Sequence, residues 1–131
     1  VTFILGDNFF GENPLEGINF ENFKGSQIFA INVNNPNEFG VMELDSNNNL
    51  INIHEKPEEF ISSLAVVGVY IYEKTCFEYI KQLNPSARGE LEITDLNKVY
   101  LSNNLLNYSI INSWWIDAGT EERIKKLKEL I

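Results

Sequence analysis

Asp7 and Asp117 are the residues whose type and position best suit chemistry. Asp7 closes the run Phe3-Ile4-Leu5-Gly6 and precedes Asn8; Asp117 closes Trp114-Trp115-Ile116 and precedes Ala118-Gly119-Thr120. An acid at the tip of a strand leaves its carboxylate at the carboxyl edge of a sheet, where open α/β sheets bind ligands. Two such carboxylates offer oxygen to a hard divalent cation on a phosphate substrate. Gly6-Asp7-Asn8 also reads as a turn that satisfies its own backbone.

Cationic candidates lie between them. Glu55-Lys56-Pro57 ends an alternating run. Lys56 suits a phosphate as a point charge, and Glu55 suits a hydroxyl; the pair equally fits a solvated strand end. Pro57 predicts an extended Lys56, and strand alternation predicts that the two side chains point to opposite faces. Pro85-Ser86-Ala87-Arg88-Gly89-Glu90-Leu91-Glu92-Ile93-Thr94-Asp95 is the segment densest in candidates. Arg88 precedes an expected helix start, where free N–H groups favour an anion, and its planar guanidinium grips phosphate with two prongs. Glu90, Glu92 and Asp95 read otherwise as acids of the helix's first turn. Trp115 shares a strand face with Asp117, either as an aromatic wall beside the carboxylate or as core. Gly40 and Gly68 mark close approach of a backbone or ligand, or a bulge.

The elements that must position these residues alternate in type. Residues 2–6 read as a buried strand, and residues 8–25 as mixed with one short helix. Strands are expected at 28–33 and 65–72, the second nearly all apolar and therefore central. Residues 40–45 and 50–55 alternate apolar and polar side chains around Ser46-Asn47-Asn48-Asn49, which predicts a hairpin with Asn in left-handed turn positions. Asn34-Asn35-Pro36-Asn37 is a turn cluster. Helices are expected at 74–83 and at 90–102, the latter with Leu91, Leu96, Val99 and Tyr100 inward. Strands at 105–111 and 114–116 lead to a last helix capped by Thr120. Its apolar face is Ile124, Leu127, Leu130 and Ile131, and its acids and lysines match the helix dipole. Strands alternating with helices give an α/β class, and the hairpin makes the sheet mixed.

Composition narrows the function. The chain has 131 residues, the size of one domain, with 44% hydrophobic residues and a net charge of −9. That charge argues against nucleic acid as a partner; a small phosphate ligand needs only a few local cations and a metal. His54 is the sole histidine and Cys76 the sole cysteine, which gives zinc and Ser-His or Cys-His catalysis little support. Cys76 falls on a helical face with Ile80 and Leu83 and reads as a buried thiol, in keeping with a reducing cytoplasm. No apolar run reaches membrane-spanning length, so no membrane partner is expected. The chain opens with Val directly in a strand and reads as a piece of a longer protein.

The order of Leu5-Gly6-Asp7-Asn8, Phe39-Gly40-Val41, Glu55-Lys56-Pro57, Pro85 to Asp95 and Trp115-Ile116-Asp117-Ala118-Gly119-Thr120 resembles the second half of sugar-phosphate nucleotidylyltransferases. Ser86 to Asp95 resembles in particular the thymidylyltransferases that act on glucose 1-phosphate. The resemblance covers nearly the whole chain and implies a Rossmann-like nucleotidyltransferase fold with its N-terminal strands missing. It implies attack of a sugar 1-phosphate oxygen on the α-phosphorus of a nucleoside triphosphate, dTTP, giving dTDP-glucose for rhamnose pathways and releasing pyrophosphate. By position it makes Asp7 and Asp117 the Mg²⁺ ligands, Glu55 a binder of sugar hydroxyls, and Lys56 and Arg88 the holders of the sugar phosphate. Phe39, Gly40, Val67, Gly68 and Trp115 match residues lining the sugar pocket.

Phe39 stands where the family usually has Tyr, and Ala118 where it usually has Thr. The Gly-Gly-x-Gly-Thr-Arg loop that cradles the triphosphate does not occur within the 131 residues. The isolated chain is therefore expected to be inactive. Uridylyl or guanylyl transfer, and a non-catalytic binding or assembly role, stay open as alternatives. An unpaired sheet edge beside residues 2–6 predicts homo-oligomers through strand pairing.

Overall fold

Eight strands and three α-helices make up the computed structural model, which describes all 131 residues. In chain order they are β1 (Thr2–Ile4), β2 (Asn8–Phe10), β3 (Ser26–Asn32), β4 (Gly40–Leu44), β5 (Leu50–Glu55), β6 (Leu64–Tyr72), α1 (Cys76–Gln82), α2 (Ile93–Ser102), β7 (Leu106–Ile110), β8 (Trp115–Asp117) and α3 (Glu121–Leu130). A single 3-10 turn, Pro36–Glu38, precedes β4.

Every residue of β6 except Val66 is buried. Its β-branched and aromatic side chains suit a strand covered on both faces. One edge of β6 pairs antiparallel with β3, from Ser26↔Tyr72 to Asn32↔Leu64. The other edge is shared: β4 meets its start at Val41↔Ala65, and β1 meets its end from Thr2↔Ile71 to Ile4↔Val69. The strand order is β5-β4-β6-β3-β7, with β1 beside β6. β7 runs parallel to β3 and the other pairs are antiparallel, so the sheet is mixed as expected. β2 and β8 form a separate antiparallel ribbon.

Helices cover one face. Cys76 of α1 and Leu96 and Tyr100 of α2 pack on Ile28, Met42, Ile53 and Tyr72. The Tyr72 hydroxyl donates to buried Asn97 Oδ1 at 2.6 Å, which satisfies both groups. The opposite face, Phe29, Val67, Val69 and Ile71, is covered by Phe10, Leu15, Ile18, Phe23 and Trp115. Each large side chain buried this way contributes roughly 1.5–3 kcal/mol. No helix is long and apolar enough to cross a membrane.

The structure corrects several expectations. β1 is exposed throughout, because it is a three-residue strand at an edge with β6 as its one neighbouring strand. Residues 8–25 hold no helix: residues 8–10 are β2, and Asn13 and Asn19 accept from the Leu15 and Glu21 amides two residues on. Such Asx turns compete with helix hydrogen bonds. α2 starts at Ile93, so Glu90 lies outside it, Glu92 is its N-cap, and only Asp95 is a first-turn acid. A turn closed by Gly89 N to Ser86 O at 2.8 Å, with Gly89 at φ 76°, holds the preceding residues away from helix. Leu91 is consequently half exposed. On α3 only Leu127 of the apolar face is buried. The hairpin, with Asn48 at φ 63°, and the buried Cys76 follow expectation.

Candidate active site

β2 and β8 decide where the two aspartates go. Their antiparallel register sets Asn8 opposite Asp117, and Ala118 N donates to Asp7 O at 2.7 Å. Asp7 and Asp117 thereby line one cleft of about 250 Å³, together with Phe39, Gly40, Glu55, Gly68 and Trp115. Burial pushes the Asp117 carboxyl above its ordinary value. Asp7 and Glu38 push it the same way, and Arg123, whose Nη1 donates to Asp117 Oδ2 at 2.8 Å, opposes them.

Asn8 is the hub of this cleft. Its Oδ1 accepts from the Trp115 indole Nε1 at 2.7 Å and from Gly68 N at 2.8 Å, and its Nδ2 donates to Asp7 Oδ1 at 2.9 Å. One amide therefore orients an aromatic wall, a central strand and a carboxylate. Asn8 accounts for Gly68 as well: a Cβ there would sit 2.7 Å from Asn8 Oδ1. Sequence reasoning quoted Asn8 only as part of a turn. The available signal was an amide side chain directly after Asp7 and a glycine within an otherwise apolar strand, a mark of close approach. Phe39 stands edge-on to Trp115, with ring centres 5.4 Å apart.

Glu55 joins this cleft to a second cavity. Its Oε2 accepts from Thr94 Oγ1 at 3.2 Å, and a Cβ on its cross-strand partner Gly40 would come within 3.1 Å of it. The second cavity, about 460 Å³, is lined only by polar and charged residues: Glu55, Lys56, Arg88, Glu92, Thr94, Asp95 and Lys98. Lys56 and Arg88 thus meet each other but line the neighbouring space, with Glu55, Glu92 and Thr94 common to both.

Lys56 is not extended. It has φ 43°, with its amide donating to Phe39 O at 2.9 Å. β5 ends at Glu55, so strand alternation stops there, and the left-handed residue turns both side chains to the same cavity. Arg88 Nη2 binds Glu92 Oε1 at 2.9 Å and lies 3.8 Å from Glu90. The hydrogen bond with Glu92 raises the Arg88 pKa and lowers that of Glu92. Val67 is not among the lining residues; its side chain is fully buried with Phe29, Val69 and Ile71 on the other face. Val66 and Gly68 flank the cleft in its place.

The family model described as nucleotidyl transferase matches residues 1–130. The chain belongs to the nucleotidyl transferase family. A glucose-1-phosphate thymidylyltransferase of Neisseria gonorrhoeae is 40% identical over 136 residues, spanning 100% of this chain and 47% of that protein. One from Mycolicibacterium smegmatis is 35% identical over 100% of this chain and 47% of its own length. A crystal structure of a Bacillus anthracis protein, described as a glucose-1-phosphate thymidylyltransferase in complex with sucrose, superposes with a TM-score of 0.88. It is 42% identical and covers 98% of this chain and 53% of that one. An apo UDP-glucose pyrophosphorylase shares the fold, with a TM-score of 0.78 at 21% identity. The chain spans about half the length of the curated relatives it matches. A nucleotidyl transferase mixed sheet with flanking helices is therefore the observed architecture.

Two carboxylates on one cleft fit a hard cation such as Mg²⁺, which takes one or two protein carboxylates and completes its shell with water and substrate phosphates. No group of three or more His, Cys, Asp or Glu side chains is placed to hold a metal unaided.

Proposed function

We propose that residues 1–131 form the sugar-phosphate and metal-binding part of a nucleotidyltransferase domain whose full enzyme makes dTDP-glucose. One observation carries the reading: a cleft uniting Asp7 with Asp117 adjoins a cavity holding Lys56 and Arg88, in a chain 40% identical along its length to a thymidylyltransferase. A phosphate oxygen of glucose 1-phosphate bonds to the α-phosphorus of dTTP. The bond from that phosphorus to the bridging oxygen breaks, and pyrophosphate leaves. Such transfer depends on positioning and charge neutralisation more than on covalent chemistry.

Lys56 and Arg88 steady the sugar phosphate. Glu55, fixed by Thr94, accepts from a sugar hydroxyl. Gly40 and Gly68 let Glu55 and Asn8 lie close against the sheet, which keeps the cleft open for the ring, and Trp115 with Phe39 walls it from water. Asp7 and Asp117 would hold Mg²⁺, which supplies positive charge at the α-phosphate. A cytoplasmic setting belongs to the same reading, supported by the single free thiol.

The test is a calorimetric titration of the purified chain with glucose 1-phosphate, beside an assay of pyrophosphate release from dTTP. Binding is expected to weaken about tenfold in Arg88→Ala, the loss of one charge-assisted contact, with no pyrophosphate released by the chain alone. Binding indifferent to Arg88 would remove the phosphate site. Pyrophosphate release would show that the Gly-rich loop is dispensable.

A further inference from the structure

Arg123 is the third residue of α3, and its amide is held by Thr120 Oγ1 at 3.2 Å. Its guanidinium stands between two carboxylates of the cleft. Nη1 donates to Asp117 Oδ2 at 2.8 Å, while Nη2 lies 3.6 Å from Glu38 Oε1. The guanidinium carbon is 5.5 Å from the centre of the Phe39 ring. Glu38, Phe39 and Asp117 all line the cleft. The Arg123 and Asp117 side chains are only 24% and 22% exposed, so water cannot fully replace either partner.

A divalent cation on Asp7 and Asp117 would set a second positive charge against the carboxylate that Arg123 already neutralises. The two cations repel at that range far more strongly than in bulk water. Arg123 has another place to go: the Glu38 carboxylate and the face of Phe39, which already touch it loosely.

We propose that Arg123 is a resident counter-ion of Asp117 that holds this carboxylate in position and competes with a divalent cation for it, Glu38 receiving the guanidinium when the cation binds. This rests on the reading of Asp7 and Asp117 as metal ligands. Arg123 is a positioning residue that sets metal affinity. Apparent affinity falls by the fraction of time the competing pair is open, so a pair closed about nine-tenths of the time weakens the metal about tenfold.

The test is Mn²⁺ titration of the full chain, followed by the electron paramagnetic resonance of the free ion. Arg123→Met keeps the backbone amide on Thr120 and is expected to bind Mn²⁺ about tenfold more tightly than the wild type. Arg123→Lys keeps the charge and should stay close to wild type. Arg123→Gln, a second neutral replacement, should also bind about tenfold more tightly, which reads the proposal even if Arg123→Met fails to fold. If Arg123→Met binds no more tightly while Asp7→Asn abolishes binding, the metal site stands and the role of Arg123 is overturned. If Asp7→Asn leaves binding unchanged, or neither wild type nor Arg123→Met binds, the metal-ligand reading falls and the inference with it. Binding seen only in Arg123→Met supports it.

Discussion

At the residue scale the cleft is organised by hydrogen bonds to Asn8. Gly68 lacks a side chain because Asn8 occupies the space above it, and Asn8 sits there because three groups bind its amide. Gly68→Ala forces overlap with Asn8 Oδ1. Overpacking of this kind costs about 1–3 kcal/mol, and relief by moving Asn8 would release the Trp115 indole. Urea denaturation should show that loss together with an altered Trp emission of the folded state. Unchanged stability and emission would mean that the site relaxes without disturbing the hub. Lys56 teaches a related lesson: Pro57 argues for an extended residue, yet φ is 43°, and that departure turns Lys56 toward Arg88.

At the element scale, the β2–β8 ribbon and α3 act as one unit. The ribbon brings Asp7 to Asp117, and only Ala118, Gly119 and Thr120 separate the end of β8 at Asp117 from the start of α3 at Glu121, so Arg123 can return to it. Thr120 fixes that geometry by capping α3 with its hydroxyl. Thr120→Ala should cost about 1 kcal/mol, read as a drop of a few degrees in Tm. Because the same turn carries Arg123, the variant should also alter Mn²⁺ affinity. A Tm equal to wild type would show that the cap contributes nothing. The helix that was expected from Glu90 begins later, since the Ser86–Gly89 turn consumes those residues.

At the scale of the whole molecule, aromatic hydroxyls and one thiol are packed between the sheet and its helices. Burial pushes Tyr70 up to about 12 and moves Tyr72, Tyr100 and Cys76 upward as well. In the unfolded chain tyrosines ionise near 10 and cysteine near 8.5. Raised folded-state values mean that the native state binds more protons at alkaline pH. Their contribution to stability is complete below the unfolded values and is lost progressively as pH rises from these through the higher folded-state values. The urea midpoint should therefore fall from about pH 8.5 upward, with phenolate absorbance near 295 nm appearing together with unfolding. Phenolate signal from these tyrosines near pH 10 in a still-folded protein would contradict their burial.

By itself the sequence determined the pieces and their order. The apolar run of Leu64–Tyr72 marked the central strand, the Asn cluster marked the hairpin turn, and Thr120 marked a helix cap. These signals are local, set by periodicity and turn chemistry within a few residues. Tertiary structure decided what no window contains. Asn8 and Trp115 lie 107 positions apart and share a hydrogen bond only because two short strands pair. Val67 and Gly68 are neighbours in sequence yet face opposite sides, so one belongs to the core and the other to the cleft. The Arg123 guanidinium reaches Asp117 because a helix start follows a strand end at a particular angle, a relation fixed by packing and not by residue preference.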